Sequence, residues 1–424
     1  MKLQKNMKTT VIRRILEYLL VFCIILEFNT PYLIFPEVKR MIQVFPIFIL
    51  LGLLIISNYS ITKKVNILVF IYLVGALFPM LALRDHNYPS YIIRYVLILP
   101  LLWMYLSHRK EFGSSVYNSL FLKYSNVMVI IAVASLVMWF LCSILQVVPA
   151  TSFFPYEWGS SIDFIPTYWG VYFETQSIAP LGEKIWRNTG IFNEGPMYNM
   201  ALCVAFIIEY FIQPFRSKTK LWILAIAIFT TFTTTGQFFL MGIGIWSVFN
   251  RMGRRYRILL LLVVPILLYF GYVVAGTLLA NKKATGGEDS MNLRTEDITW
   301  CMEAGMEHPM LGVGLTLREG ESLWHGKTLG RSNSLFAVFA RGGLFVLILY
   351  IGALLLIPYL YYRKYKDPKW FYAMFCFFLV FTVTVSFLNY LTLLFIAWGM
   401  SNINLKCWNC LLYTSPSPRD RSLS

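Results

Sequence analysis

Charge is scarce in this chain of 424 residues. Asp, Glu, Lys and Arg together make up 14%, against 58% hydrophobic and 17% aromatic residues. A soluble domain carries about 25% charged and about 45–50% apolar residues. The composition therefore excludes an ordinary water-soluble fold and points to an integral membrane protein. Acidic residues are the scarcer sign, 21 against 37 Lys and Arg, for a formal net charge of +16. Nucleic-acid binding does not follow from that surplus, because the basic residues are dispersed in short stretches between apolar runs. It is instead the excess that cytoplasmic loops of membrane proteins carry. A cysteine framework is missing as well. Cys23, Cys142, Cys203 and Cys376 fall in apolar runs and behave as small hydrophobes, Cys301 stands alone in a polar stretch, and Cys407 and Cys410 form a single C-x-x-C with no second pair. No disulfide, metal-ligand cluster or cofactor is assigned. There is no cleavable signal: Glu17 and Glu27 lie in the first apolar run, no small-residue cleavage site follows, and further spans do.

What the chain has is apolar runs of helical length. A bilayer core of about 30 Å takes about 20 apolar residues as helix. On that measure the chain is an all-α, polytopic transmembrane helical bundle of about twelve spans with two large external loops. Residues 1–148 carry the N-terminal spans, the first near 15–35. Residues 149–195 form the first loop, 196–279 the central spans including one near 258–279, 280–334 the second loop, and 335–406 the C-terminal spans. The basic clusters test this arrangement. Those around Arg13, Lys63, Arg109, Lys218, Arg254 and Lys364 all fall on the side of the amino terminus. By the positive-inside rule that side is cytoplasmic, and both large loops are then external. The first loop is too aromatic for disorder, with Trp158, Tyr168, Trp169, Tyr172 and Trp186. The second starts with the flexible run NKKATGGEDS and turns amphipathic around 298–306. Residues 411–424 break abruptly in composition and resemble a translated adapter sequence, so they are set aside as a non-native tail.

Three polar segments stand out. The first is RNTGIFNEGPMYNMAL, beginning at Arg187. Pro196 suits the first turn of a helix and Glu194 stands beside its start. Arg187 is either an interfacial anchor ahead of a capped helix or a phosphate ligand, since a guanidinium fork matches phosphate oxygens. The second is NLRTEDITWCMEAGMEHPMLGVGL, where Arg294 precedes a short helix capped by Thr295, with Glu296 and Asp297 in its first turn, and Pro309, Gly312 and Gly314 end it. The third is GRSNSLFAVFARGGLFVLILYIG. It is either a kinked helix with an anchor arginine or a pocket lined by Arg331, Ser332 and Asn333, with Arg341 at the break.

In this order and spacing the segments resemble the O-antigen ligase/polymerase superfamily of bacterial membrane glycosyltransferases. An R-x-x-G-x-F-x-E-P-like segment is matched by Arg187, Gly190, Phe192 and Glu194, with Gly195 inserted before Pro196. A threonine-rich helix start is matched loosely by residues 233–236. An external arginine with P-x-x-G-x-G is matched by Arg294 and residues 309–314, and a closing N-S … G-G helix by residues 332–335 with Gly342 and Gly343.

The resemblance implies an enzyme of the bacterial cytoplasmic membrane acting on undecaprenyl-pyrophosphate-linked oligosaccharide, without a metal, alongside a flippase and a chain-length regulator. It implies Arg187 and Arg294 on the pyrophosphate; the residues offer Glu194 or His325 as the base, with Glu194 preferred. The family's ligases carry histidine where this chain has Ser332, which favours polymerisation and weakens, as the same-class rival, a ligase that moves finished glycan to lipid A or another acceptor. His325 is either a substitute for that histidine or a solvated loop residue. A transporter of lipid-linked sugars is the rival from another class. It would show internal repeats and ionisable residues within the membrane, whereas no repeat is found here and the charges gather in the loops.

The predicted topology has a direct check. In Ser160→Cys and Gly287→Cys variants an impermeant thiol reagent added outside should label the new thiol, and in Ser217→Cys it should not. Protection of both loop sites would reject the orientation.

Overall fold

The structure, a computed structural model, describes residues 2–57, 63–82, 88–111, 117–158, 161–178, 185–212, 217–251, 288–314, 324–327, 329–330, 333–383 and 389–412. The long apolar runs are helices. In chain order they are α1 (Lys2–Glu27), α2 (Pro36–Ile56) and α3 (Lys63–Ala82), then α4 (Tyr88–Tyr91) and α5 (Leu99–Glu111), which a π-helical stretch Ile92–Ile98 joins into one rod. Next come α6 (Tyr117–Met138), α7 (Gly195–Ile207), α8 (Lys218–Thr230) and α9 (Thr234–Arg251). The last are α10 (Glu288–Glu307), α11 (Ser334–Tyr365), α12 (Lys369–Val383) and α13 (Tyr390–Leu412). Among the described residues, Pro36–Ile56, Pro89–His108, Leu120–Ile144, Gly195–Ile212 and Ser334–Arg363 are long and apolar enough to cross a membrane, and Lys369–Thr382 and Tyr390–Ser401 are shorter apolar helices. The expected span near 258–279 and residues 413–424 of the tail lie outside the described residues. The first helix starts earlier than expected and stops at Glu27, where Asn29 takes a left-handed conformation ahead of Pro31.

Helix α7 is the centre of the bundle. Every residue from Tyr198 to Ile207 is buried. Its sequence is apolar on all faces, so it is enclosed by α6, α8, α9 and α12 rather than placed at the surface. Helices α2 and α6 show the opposite pattern, with Phe48, Ile55 and Ile130 exposed. An apolar side chain turned outward on a helix long enough to cross a bilayer is a lipid-facing one.

The all-α expectation holds for the bundle but not for the first loop, which folds into β-structure. Strands β1 (Ser152–Trp158), β2 (Ser161–Tyr168) and β3 (Tyr172–Phe173) form an antiparallel sheet, and β4 (Ser177–Ile178) pairs with β5 (Ile185–Trp186). The β1–β2 register runs from Ser152 opposite Thr167 to Trp158 opposite Ser161. A two-residue Gly159-Ser160 connection between aromatic runs is a hairpin signal. Pro155 and Pro166 mask it, because proline inside a run argues against a strand.

The second loop also differs. Its helix is twenty residues long, so Thr295 and Arg294 lie inside it and Thr295 does not cap it. Asp297 is not a solvated first-turn acid. It is buried, accepts the Gly330 N–H at 2.7 Å, and lies 3.7 Å from the Cys301 thiol. Residues 281–287 of the run expected to be flexible are outside the described set, and 288–290 are already helical.

The two glycine motifs turn out to be halves of one clasp. Helix α11 breaks at Gly343, whose φ of 59° and ψ of −164° belong to a region that only glycine occupies readily. The break strands backbone groups that the α-helix would pair, and the segment after α10 takes them up. Val313 N–H donates to the Ala340 carbonyl (2.9 Å) and Gly314 N–H to that of Arg341 (2.9 Å), while Leu344 N–H donates to the Pro309 carbonyl (2.7 Å). The backbones touch: a Cβ on Gly312 would sit 2.5 Å from the Arg341 carbonyl oxygen, and one on Gly343 2.5 Å from that of Met310.

Charges do not all gather in the loops. Glu17 pairs with Lys123 at 2.7 Å and Glu27 with Arg94 at 3.0 Å, and both carboxylates are buried within the helices. Glu27 also accepts the N–H of Tyr390 at 2.9 Å, so it ties α1 and the π-helical stretch to the start of α13. A buried carboxylate is tolerable only when matched in this way.

Alanine at Gly343 should disrupt the clasp. Left-handed strain plus backbone overlap costs on the order of 3 kcal/mol. Gly343→Ala should therefore unfold at clearly lower temperature in detergent than the parent, while Gly244→Ala, with open space around it, should not.

Candidate functional site

The first polar segment is clamped at the mouth of α7 by a series of specific contacts. Arg187 N–H donates to the Gln176 carbonyl at 2.9 Å across the β4–β5 ribbon. Asn188 then pins the chain to the end of α8: its backbone N–H reaches the Thr230 carbonyl at 3.0 Å, and its side chain donates to Thr230 Oγ1 (3.1 Å) and Ser135 Oγ (3.3 Å). Phe192 stacks on Tyr198 with centroids 5.2 Å apart and meets Phe28 edge-on. Asn193 binds Asn29 twice, through backbone and side chain, each at 3.0 Å. Contacts to the ribbon, to α6, α7 and α8, and to the turn after α1 thus fix the eight residues from Arg187 to Glu194.

Gln176 was not singled out in the sequence, yet it arranges the centre of this site. Its Oε1 accepts from Arg187 Nη1 at 3.4 Å and from the Gly195 N–H at 3.2 Å. One amide oxygen so satisfies an orphan donor at the start of α7 and holds the guanidinium over it. A Cβ on Gly195 would lie only 3.4 Å from Arg187 Cδ and 3.3 Å from the Thr231 carbonyl oxygen, so glycine lets the arginine lie flat against the helix start. The Nε–H of Arg187 is buried and has no hydrogen-bond partner among the described residues. A buried, unpaired guanidinium N–H is costly and calls for a partner, water or a ligand group, at this point.

The electrostatics join both loops. Burial pushes the Arg187 guanidinium below its ordinary pKa; Glu194 pulls it back up and Arg294 pushes it down further. Arg294, on α10, is exposed and makes no ion pair among the described residues. The arginines of the first and second loops therefore lie within electrostatic reach of one another. Glu194 occupies the N-cap position of α7, but its side chain makes no capping hydrogen bond. Burial pushes its carboxyl above the usual carboxylate range and Arg187 partly restores it. Tyr156 of β1 belongs to the same cluster, its phenol pushed up to about 12 by burial and by the Glu194 charge.

The remaining residues go elsewhere. Asn333 caps α11, accepting from the N–H groups of Leu335 (2.8 Å) and Phe336 (3.3 Å). Arg341 turns onto the backbone carbonyl of Leu329, beside the Asp297–Gly330 bond, so its visible role is to brace the clasp. His325 stands on an exposed turn against Trp324, 3.7 Å from Glu307, and Glu307 also accepts from the Trp324 indole at 2.7 Å. Arg331 and Ser332 lie outside the described residues. Among the described residues no group of His, Cys, Asp and Glu could hold a metal ion. Asp297 was legible in principle, since Asp297, Cys301 and Ala304 share one helical face that is buried. Gln176 gave no such signal.

Fold and site define a helical membrane protein whose loop face carries a partly desolvated arginine, Arg187, beside a carboxylate and within electrostatic reach of the exposed Arg294. Residues 220–351 match the family model described as O-antigen ligase. That match bears out the resemblance read from the sequence and supports membership of the O-antigen ligase/polymerase superfamily. It takes in Arg294, His325, Asn333 and Arg341, and leaves Arg187 and Glu194 outside. No curated protein and no solved structure matches the chain.

The raised pKa of Glu194 has a consequence for stability. The folded state holds the proton more tightly than the unfolded one, so this group's contribution is present below the unfolded pKa and is lost as pH rises through the folded pKa. The stability of Glu194→Gln relative to the parent should improve between about pH 4 and about pH 7. Thermal melts of both proteins across that range provide the check, and parallel curves would reject the shift.

Proposed function

We propose that this protein is a polymerase that joins undecaprenyl-pyrophosphate-linked oligosaccharide repeat units at the external face of the bacterial cytoplasmic membrane. The observation that carries this reading is the half-buried Arg187, whose Nε–H has no partner among the described residues, within electrostatic reach of Arg294. Like charges drawn together from two loops repel unless an anion lies between them. A pyrophosphate has the charge and the oxygen geometry for two guanidinium groups. In the reaction, the hydroxyl of the incoming unit attacks the anomeric carbon of the growing chain. The glycosidic C–O bond forms, the bond from that carbon to the pyrophosphate breaks, and the electron pair leaves with the lipid pyrophosphate. Arg187 and Arg294 stabilise that leaving charge, as fixed cations do. Glu194 takes the hydroxyl proton, and burial suits it to do so by raising its basicity. Arg331, Ser332, Asn333, Arg341 and His325 remain proposed substrate contacts along the second loop. Both termini are placed in the cytoplasm, and a flippase and chain-length regulator are the expected partners.

A second reading is transfer of finished glycan to lipid A core or another acceptor, favoured by the description of the matching family as O-antigen ligase. Ser332 in place of the ligases' histidine speaks for polymerisation. Both reactions use the same leaving group, so the arginines would serve either.

Lysine at these positions separates binding from anchoring. An ammonium snorkels as well as a guanidinium but lacks the planar fork. Loss of a charge-assisted hydrogen bond, about 1.5–3 kcal/mol, should slow polymerisation by about 10- to 100-fold in Arg187→Lys and in Arg294→Lys, with normal protein levels. The readout is the glycan ladder in a polymerase-deficient strain supplied with the matching repeat unit. Normal ladders from both variants would return the two residues to an anchoring role. Full-length glycan transferred to an acceptor, without ladder formation by the parent, would favour the ligase.

A further inference from the structure

The β1–β2 hairpin has two faces of different fate. Residues paired across an antiparallel ladder share a face. Phe154 and Ile165 form one pair, turned inward, where Phe154 packs on Tyr32, Phe35 and Phe173. Tyr156, on the same face, comes near Glu194. The other face holds the pairs Phe153–Pro166 and Pro155–Phe164. Phe153 is 64% exposed and Phe164 68%, and Trp169, just beyond β2, is 63% exposed. An outward aromatic cluster of this kind on a water-bathed loop would be an association hazard.

Its surroundings say what covers it. The helix that leads into the hairpin, α6 with its π-helical extension Trp139–Ile144, carries exposed Phe140 and Ile144, and exposed Leu145 and Val147 continue the row to the foot of β1. On the inner side Phe154 touches Phe35, itself exposed at the start of α2 and followed by exposed Met41, Phe45 and Phe48. Two membrane-crossing helices therefore bring exposed apolar surface to the hairpin, on the α2 side with the polar residues Glu37 and Arg40 between Phe35 and Met41. Polarity along the hairpin has a direction as well. Phe153 and Trp169 lie at its foot and Phe164 midway, whereas Glu157 and Asp163 lie toward the turn. Four residues of strand separate Phe153 from Glu157, about 14 Å, more than the headgroup layer on one side of a bilayer, roughly 5–8 Å. The foot can sit in lipid while the turn stays in water. No Lys or Arg occurs between Ser152 and Trp169, so the hairpin itself carries no basic group to attract anionic headgroups.

We infer that the foot of the β1–β2 hairpin is embedded in the bilayer leaflet on the loop side, its Phe153–Phe164–Trp169 face seated among lipid acyl chains and headgroups. The partner is the lipid surface itself. Because the opposite face of the hairpin meets Glu194, this seating sets the candidate site at headgroup depth, where a lipid-borne phosphate would be found. The seating stands independently of which reaction the site performs.

The test uses the full-length protein in native membranes, with the photocrosslinker p-benzoylphenylalanine placed singly at Phe153, Phe164, Phe140 or Phe154. The side chain is close to phenylalanine, and two positions calibrate it: Phe140 should yield phospholipid adducts, and Phe154 only crosslinks within the protein. Intact-mass analysis after irradiation should show a one-phospholipid mass increase for Phe153 and Phe164, in yield comparable to Phe140 and unchanged in vesicles of purely zwitterionic lipid. No lipid adduct at either position, or adducts to another protein, would overturn the inference. Lipid adducts that vanish without anionic lipid would overturn the apolar mode of seating.

Discussion

A guanidinium partly deprived of water is the constraint around which the loop face is organised. Arg187 is flattened against the start of α7, burial disfavours its charge, and one of its N–H groups has no partner among the described residues. Proteins do not keep such a group without compensation. Glu194 offers part of it, and Arg294 from the second loop adds repulsion rather than relief. The net field favours an anion bridging the two arginines, and the chemistry proposed for the site follows from that field more than from any motif.

Holding an unsatisfied charge in place demands stiffness, and the segment around it supplies it. Asn188, Phe192 and Asn193 bind respectively to α8, to the central helix and to the turn after α1. Beneath them the Glu27–Arg94 pair ties α1 to the π-helical stretch and to the first N–H of α13. The buried pairs Glu17–Lys123 and Glu27–Arg94 weaken one argument against a transport role, that charges avoid the membrane interior. Each carboxylate is matched by a cation and a hydrogen bond, which fits bracing. The asymmetry of the site then rests on loops of different length and make-up rather than on a repeated unit.

Much of this could be read in the sequence, and what could not has physical causes. Helix positions were legible because a hydrophobic run of spanning length has few alternatives. The importance of Arg187, Glu194 and Arg294 was legible because charge is so rare here. The hairpin was hidden by two prolines that a strand tolerates only in special places. The true start of α10 was hidden because Thr295 and its acidic neighbours look like a cap, and only a tertiary partner, the Gly330 N–H, shows that Asp297 points inward. Gln176 was invisible for a simpler reason: its value lies in two hydrogen bonds made to residues far along the chain, and no local pattern encodes those. Asn333 caps α11 through its own sequence neighbours, whereas Arg341 braces it through the Leu329 carbonyl, a partner that the local sequence does not show.

The clasp at Gly343 bears on how the chain enters its membrane. Residues 309–314 leave the ribosome before α11 does, so the acceptors and donors that complete the broken helix exist before the break is made. A helix inserted one turn too deep or too shallow would bring the wrong carbonyls to that segment, and each mismatched backbone group costs several kcal/mol in hydrocarbon. Gly312 and Gly343 thus act as a vernier. They give α11, whose apolar stretch is long enough to slide, a single depth at which the groups stranded by the break at Gly343 find their partners.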